Sequence, residues 1–162
     1  MADFSREEVI ETYERYVEAR HRVEAGELGW DALAAFFSDD AVFIDPAWGR
    51  VEGIDEIRKF LAESMQGLDD WDFPHLWTMV DGNRLLARWT NRLPGSRPDG
   101  SRYEAPGYSL MIYAGDGKFS YEEDLLNMTH IGELMRDSGW KPKVAMNVPP
   151  RQPIRRPFDG ES

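Results

Sequence analysis

The sequence predicts an α+β fold in which a strongly bent, mostly antiparallel sheet forms a cone and three helices in the N-terminal half close it around an apolar pocket. Apolar residues repeat at helical spacing over residues 5–37 and 57–65, which predicts helices there, with one short strand between them. Alternation typical of strands begins near Trp71 and continues to about Leu126. Long, bent antiparallel strands with helices on one face leave a hollow interior, so a pocket is expected inside the cone.

The composition fits one globular domain and excludes several classes of function. The chain has 162 residues, of which 41% are hydrophobic, and this is enough to close a core. Its net charge of −11 repels phosphate backbones, so no nucleic acid partner is expected. Because cysteine is absent, disulfides, thiolate nucleophiles and cysteine metal sites are excluded. The N-terminus resembles no secretory signal and no apolar run approaches the roughly 20 residues of a membrane span, so we expect a cytoplasmic protein without membrane contact.

Two helices are predicted before the first strand. Ser5 followed by Glu8 forms a capping box, which begins a helix that runs to about Ala25, and Gly26 is its expected stop. The apolar residues of the next segment repeat every three or four positions and predict a short second helix: Trp30, Leu33, Phe36 and Phe37.

The first strand is predicted at residues 41–45. Alternation places Phe43 and Asp45 on one face, and Pro46 ends the strand and forces Asp45 to be extended. A third helix is expected after Gly53, with an apolar stripe formed by Ile57, Phe60, Leu61 and Met65.

The remaining strands are predicted to form a meander. The pair Asp81–Gly82 is a two-residue hairpin signal, and it places Arg88 opposite His75 and Leu86 opposite Trp77 on one face. Further elements are expected at about residues 102–113 and 118–126, as strands, and at 129–137, as a closing helix.

The chain is expected to divide into a domain over residues 1–138 and a tail over residues 139–162. The tail contains five Lys or Arg, two acidic residues and five of the ten prolines. A basic, proline-rich segment forms helix or sheet poorly, so the tail is predicted to be extended or disordered. The alternative is that it lies along the acidic body or along a partner subunit.

Several local strings resemble known proteins. The string Ser-Asp-Asp-Ala-Val-Phe-Ile-Asp-Pro occupies residues 38–46, and Glu-Arg-Tyr-Val occupies residues 14–17. With the order of elements, they resemble the nuclear transport factor 2-like superfamily, whose cystatin-like fold is a cone, and above all its SnoaL-like branch. That branch includes polyketide cyclases, ketosteroid isomerase, limonene epoxide hydrolase and scytalone dehydratase. The match to ketosteroid isomerase implies that Asp45 is the catalytic base and that Tyr16 donates to an oxyanion.

Other strings imply further site residues. Where the isomerase has an aspartic acid after Ala-Pro-X, this chain has Tyr108, which implies a phenolic donor pair with Tyr16. Resemblance to limonene epoxide hydrolase implies that Asp124 and Arg88 belong to its Asp–Arg–Asp set, although the other aspartate falls on Thr90. Resemblance to scytalone dehydratase implies a catalytic role for His75.

The residues themselves support both functional and structural interpretations. Asp45 in an apolar cone would have a raised pKa and act as a base, or it would only cap the turn at Pro46. His75 either shuttles protons or is a buried, hydrogen-bonded histidine. Arg88 and Asp124 are predicted to pair, either to activate water or as a structural ion pair. Glu122, on the face of Asp124, is a further pocket acid or a rim residue.

The lining and the surfaces follow from alternation. The predicted lining residues, which are equally core candidates, are Trp48, Trp77, Phe60, Phe43, Tyr108 and Leu110. Trp89 and Tyr121 are placed on the outer sheet face, and exposed aromatics there predict a homodimer through that face. Three scattered histidines show no ligand spacing, so neither a metal nor a cofactor is expected.

Three functions are compatible with these predictions. The first is a cofactor-independent acid–base enzyme, of isomerase, dehydratase or cyclase type, acting on a small hydrophobic oxygenated molecule. The second is an epoxide-hydrolase-like enzyme that uses Arg88 and Asp124. The third is a non-catalytic module for small-molecule binding or dimerisation.

Overall fold

The structure is a computed structural model that describes residues 3–156. Its elements are α1 (Arg6–Glu24), a 3₁₀ helix (Trp30–Phe36), β1 (Phe37–Asp45), β2 (Gly49–Glu52), α2 (Ile54–Ser64), β3 (His75–Asp81), β4 (Arg84–Ser96), β5 (Arg102–Gly115), β6 (Lys118–Leu126) and α3 (Met128–Ser138). Over the described range, we find no helix with the length and apolar character needed to cross a membrane.

The six strands form one open, curved sheet in the order β2-β1-β6-β5-β4-β3. Only β1 and β6 are parallel among these neighbours, and the other four pairs are antiparallel. Register shifts in four of the pairs mark bulges, which bend strands and increase their twist. The predicted α+β architecture with a bent, mostly antiparallel sheet is confirmed.

The first helix begins as the sequence predicts. The Ser5 hydroxyl accepts a hydrogen bond from the Glu8 backbone N–H at 3.1 Å, which satisfies one free donor of the first turn. Val9, Tyr13 and Tyr16 are buried against the sheet. Helix α1 therefore presents its aromatic stripe to the inside of the cone.

A chain of aromatic rings ties the helices to the first strand. Phe43 of β1 lies 4.9 Å from Phe60 of α2 and 5.9 Å from Phe37, measured between ring centroids. Phe37 in turn meets Tyr16 of α1 at 6.3 Å. These edge and tilted contacts fix where α1 and α2 lie over the concave face.

Strand β2 was not predicted. It pairs with β1 through Asp45↔Gly49 and Val42↔Glu52, and with only four residues it is too short to show a readable alternation. The predicted second helix is present as a 3₁₀ helix in which Leu33 and Ala34 are buried, and Phe37, which was predicted to belong to it, is the first residue of β1.

The hairpin between β3 and β4 turns one residue later than predicted. The strands pair at Asp81↔Arg84, so the two-residue loop is Gly82–Asn83, with Gly82 at a φ of +59° in the first loop position. Arg88 then lies opposite Trp77, and a bulge between His75 and Trp77 brings Trp89 opposite His75. The predicted pairs of Arg88 with His75 and of Leu86 with Trp77 are therefore wrong.

The segment after α3 has no regular secondary structure up to residue 156, and it lies along the body. The Trp140 indole donates to Asp70 Oδ1 at 3.0 Å, and the Asn147 amide donates to the Glu63 carbonyl at 2.9 Å. Farther on, the Arg50 backbone N–H donates to the Ile154 carbonyl at 2.9 Å. The last part of the predicted tail, residues 157–162, lies outside the described residues.

Candidate active site

The concave face of the sheet and the helices enclose a cavity with two connected chambers. The inner chamber has a volume of about 90 Å³ and the outer chamber one of about 210 Å³. The residues that line both chambers form the passage between them: Asp45, Ser64, Met65, Phe73, Trp89 and Asp124. Two of these six are carboxylic acids, so charge is concentrated at the passage.

A pair of carboxyl groups forms one wall of the inner chamber. Glu122 and Asp124 are two residues apart on β6 and therefore share its concave face. The Tyr16 hydroxyl donates to Glu122 Oε2 at 3.4 Å, and the Ser109 hydroxyl donates to Asp124 Oδ1 at 2.5 Å. The Trp89 indole N–H donates to the Ser109 oxygen at 2.9 Å, so three neighbouring strands hold the Asp124 carboxyl in place.

Burial gives these two acids unusual proton affinities. It raises the pKa of Glu122 well above its ordinary value, and the neighbouring Asp124 raises it further. Burial also raises the pKa of Asp124 to about 7, against the hydrogen bond from Ser109, which favours the charged form. The two carboxyl groups therefore titrate as a pair, and burial favours the retention of a proton by the pair.

Asp45 faces the pair from β1 and is held by backbone donors. Its Oδ1 accepts hydrogen bonds from the Ala47 and Trp48 N–H groups, both at 2.7 Å. Burial raises the pKa of Asp45, and these two hydrogen bonds oppose the rise. Asp45 thus caps the turn after β1 and also lines both chambers.

Tyr16 and Arg20 reach the inner chamber from α1, one helical turn apart. Burial raises the pKa of Tyr16 well above its ordinary value, so its hydroxyl remains a neutral donor. Arg20 is buried and donates to the Phe73 carbonyl at 2.9 Å, while its Nε lacks a hydrogen-bond partner among the described residues. The Arg20 charge opposes the rise in the pKa of both Glu122 and Asp124.

Six of the predicted site residues are brought together around the cavity. Tyr16, Asp45 and Asp124 supply its polar groups, as described above. Phe43 and Phe60 line the inner chamber, and Trp48 lines the outer one.

Four other predicted site residues lie on the outer face of the sheet, which corrects their predicted inward orientation. Trp77, Arg88 and Tyr108 form a cross-strand row there, with the Arg88 guanidinium 5.3 Å from the Tyr108 ring and the Trp77 ring 6.2 Å from it. Leu110 follows Tyr108 two residues on. The predicted Arg88–Asp124 pair and Tyr16–Tyr108 donor pair therefore do not form. In β4 and β5 the side chains that face the cavity are those next to the predicted ones in sequence, because the strands present the opposite face.

His75 lies beside the helix that carries Tyr16 but outside both chambers. Its Nδ1 is 3.5 Å from the Tyr13 hydroxyl, with the two rings edge to face. Partial burial and the nearby Arg20 charge lower the pKa of His75, so it is mostly neutral near pH 7. Among the described residues, the hydrogen bond and the ring contact of His75 are both with Tyr13 and not with the carboxyl pair.

Trp89 was predicted to lie on the outer face, and this prediction is wrong. Trp89 is buried, lines both chambers, and lies directly over Gly107 of β5. A Cβ atom at position 107 would be 2.6 Å from the indole ring, so only glycine fits beneath it. A glycine in the strand paired with the one that carries Trp89 was the sequence feature that could have predicted this pocket wall. Ser109, two residues after Gly107 on β5, faces inward for the same reason.

Comparison with known proteins identifies the fold and the family. Among solved structures, a candidate SnoaL-like polyketide cyclase from Jannaschia sp. CCS1 is similar over 83% of this chain and 96% of its own, with a TM-score of 0.63 and 17% identity. An LEH-like epoxide hydrolase from M. tuberculosis covers 80% of this chain and 90% of its own, with a TM-score of 0.59 and 18% identity.

A third solved structure, TerC co-crystallised with polyporic acid, covers 80% of this chain and 98% of its own, with a TM-score of 0.57 and 19% identity. These TM-scores establish a shared fold. Curated protein sequences give no match. The model of the SnoaL-like domain matches residues 13–121, which is most of the chain and extends from within α1 to the first part of β6. The chain therefore belongs to the family of SnoaL-like domains.

Proposed function

We propose that the protein is a cofactor-independent acid–base enzyme, of isomerase, dehydratase or cyclase type, that acts on a small hydrophobic oxygenated molecule. The observation that carries this proposal is the placement of three carboxyl groups, Asp45, Glu122 and Asp124, around one apolar cavity in three different environments. Titratable groups whose pKa values are driven apart at one site supply an acid and a base together.

Asp45 is the proposed base. Two backbone N–H groups hold its Oδ1 and favour the ionised carboxylate, while burial keeps that carboxylate more basic than one in water. Its position at the passage would let it reach a carbon next to a carbonyl in a ligand that enters either chamber.

The Glu122–Asp124 pair is the proposed acid. A protonated carboxyl group inside an apolar cavity can donate a hydrogen bond to an oxygen on which negative charge develops. The Tyr16 hydroxyl at 3.4 Å holds Glu122, and Ser109 holds Asp124, so the pair is oriented before a ligand arrives. A similar structure was co-crystallised with polyporic acid, which supports small-molecule binding as a use of this fold.

Deuterium exchange tests the proposal without knowledge of the natural substrate. We expect the protein to accelerate exchange of the C2 protons of 1-tetralone in D₂O, with saturation in ketone, as followed by proton NMR. The rate should fall above about pH 7, because Asp124 becomes charged and the pair donates less well to the developing oxyanion. It should also fall in acid, where Asp45 is protonated.

Saturable binding of the ketone without any exchange above the buffer rate would contradict the proposal. That result would support a non-catalytic binding module instead.

We also propose that the protein forms a homodimer through the outer sheet face. This face carries the row of Trp77, Arg88 and Tyr108 and a second row that includes Met79 and Leu110. Trp77 is 42% exposed and Met79 is 62% exposed, which is more apolar surface than a single chain usually leaves open.

A charged substitution in this face should dissociate the dimer. Met79→Glu is expected to convert it to monomers in sedimentation velocity, because a carboxylate would be desolvated in the interface. Val148→Glu is the control, since Val148 is 83% exposed and lies in the C-terminal segment. A monomeric wild type, or a variant that stays dimeric, would argue against this interface.

A further inference from the structure

The inner chamber is too small to hold a ring system. Its volume of about 90 Å³ is well below the roughly 150 Å³ of an engineered apolar cavity that binds benzene. A ring system whose oxygen reaches Glu122, which lines the inner chamber and not the outer one, would therefore extend past Phe73 and Trp89 into the outer chamber.

The outer chamber is apolar and adaptable, with two unpaired donors. Three of its wall residues are Met65, Met135 and Met146, whose flexible thioethers fit ligands of varied shape. Among the described residues, neither Asn91 Nδ2 nor Trp71 Nε1 has a hydrogen-bond partner, although Asn91 is only 4% exposed. A buried donor without a partner is destabilising, and an acceptor oxygen on a ligand would satisfy it.

The C-terminal segment completes this chamber. Met146, Asn147 and Pro149 contribute to its wall. The segment is held against the end of α2, where the Gln66 side-chain amide donates to the Ala145 carbonyl at 2.8 Å and the Asn147 amide donates to the Glu63 carbonyl at 2.9 Å. The wall is thus built from a part of the chain outside the region that matches the SnoaL-like domain.

We propose that the outer chamber is a second subsite, which binds the distal end of an elongated, mainly apolar ligand and donates a hydrogen bond from Asn91 to an acceptor oxygen on that end. Met146 closes the subsite and limits the length of the ligand. The proposal rests on the proposed function in one respect, namely that the oxygen at the other end of the ligand meets the carboxyl pair.

The tryptophans of this chain report on each chamber separately. Trp30 lines the inner chamber only, Trp71 lines the outer chamber only, and Trp89 lines both. In ¹H–¹⁵N spectra of the full-length protein, phenol is expected to place its hydroxyl group in the inner chamber and its ring in the passage, and thus to shift the indole signals of Trp30 and Trp89. The longer 4-phenylphenol should also shift Trp71 and bind at least roughly tenfold more tightly. Trp77 lies on the outer face and is the internal control, because its signal should not shift with either phenol. If both phenols shifted the same indole signals, the proposed subsite would be refuted.

The role of Asn91 is tested with a matched pair of ligands. The wild type should bind 4-(4-acetylphenyl)phenol about tenfold more tightly than 4-phenylphenol, and Asn91→Leu should lose this preference. The variant should remain folded, because an apolar side chain of similar size removes an unpaired donor. A preference that survives in Asn91→Leu would refute the donor role.

The role of Met146 is tested by filling the chamber. Met146→Tyr is expected to weaken 4-phenylphenol at least fivefold and to leave phenol unchanged. Val148→Tyr, two residues away and highly exposed, should change neither. Equal effects of the two variants would contradict a wall at Met146. None of these measurements uses turnover, so loss of deuterium exchange with intact two-chamber binding would defeat only the proposed function.

Discussion

Replacement of Asp45 by asparagine is expected to slow the exchange of 1-tetralone protons by 10²- to 10⁴-fold, the usual contribution of a positioned general base. The amide cannot take a proton from carbon. Its carbonyl oxygen can still accept hydrogen bonds from Ala47 and Trp48, so the turn after β1 should survive. The expected change is therefore in the rate at saturation and not in ketone binding.

The control for this variant is Asp39→Asn. Asp39 is exposed on the same strand, and the substitution removes the same charge. It should leave the exchange rate within about twofold of the wild type, which would exclude a general effect of net charge. Wild-type exchange in Asp45→Asn would remove Asp45 from the mechanism and leave the carboxyl pair as the remaining source of a base.

The second large effect concerns stability and its dependence on pH. Asp124 has a pKa of about 7 in the folded protein, against an ordinary value of 3.8. The folded state thus holds a proton that the unfolded state releases, so unfolding becomes easier as the pH rises from about 4 to about 7. With about 1.4 kcal/mol per pKa unit, and some of the shift shared with Glu122, the loss is roughly 2–4 kcal/mol.

Asp124→Asn should abolish this part of the pH dependence. The amide stays neutral at every pH and its oxygen can still accept from Ser109, so the variant should match the wild type near pH 4 and exceed its free energy of unfolding by roughly 2–4 kcal/mol at pH 8. Urea unfolding at both pH values measures the difference, with Asp39→Asn as the charge-matched control. A variant that weakens equally with rising pH would show that Asp124 ionises as freely in the fold as in water.

The sequence predicted the architecture because the spacing of apolar residues distinguishes helices from strands even when the ends of an element are slightly misplaced. The switch from helical to strand spacing, the capping box at Ser5 and the Asp45-Pro46 string were sufficient to predict an α+β cone of the right family. Tyr16, Asp45 and Asp124 were placed at the cavity for the same reason: each belongs to a local string that fixes its direction.

The direction of side chains in the central strands was harder to predict. The bulge between His75 and Trp77 reverses the direction of the side chains along the chain, so Phe73 lines the cavity while Trp77 and its partner Arg88 face outward. For this reason Arg88 and Tyr108 were expected inside and Trp89 outside. The pairing of β5 with β6 sets Ser109 opposite Asp124. This register depends on how the two strands meet in the fold, so it cannot be predicted from the sequence of either strand alone.

The parallel contact between β1 and β6 has a kinetic consequence. It joins Val42 to Tyr121 and Phe43 to Glu122, residues almost eighty positions apart, whereas the meander from β3 to β6 joins sequence neighbours. Contacts between distant segments form late, because a long loop must close before they contribute any stability. We expect the meander to form first and the contact between β1 and β6, beside Glu122, to form last. The acid–base pocket would then exist only in the fully folded chain.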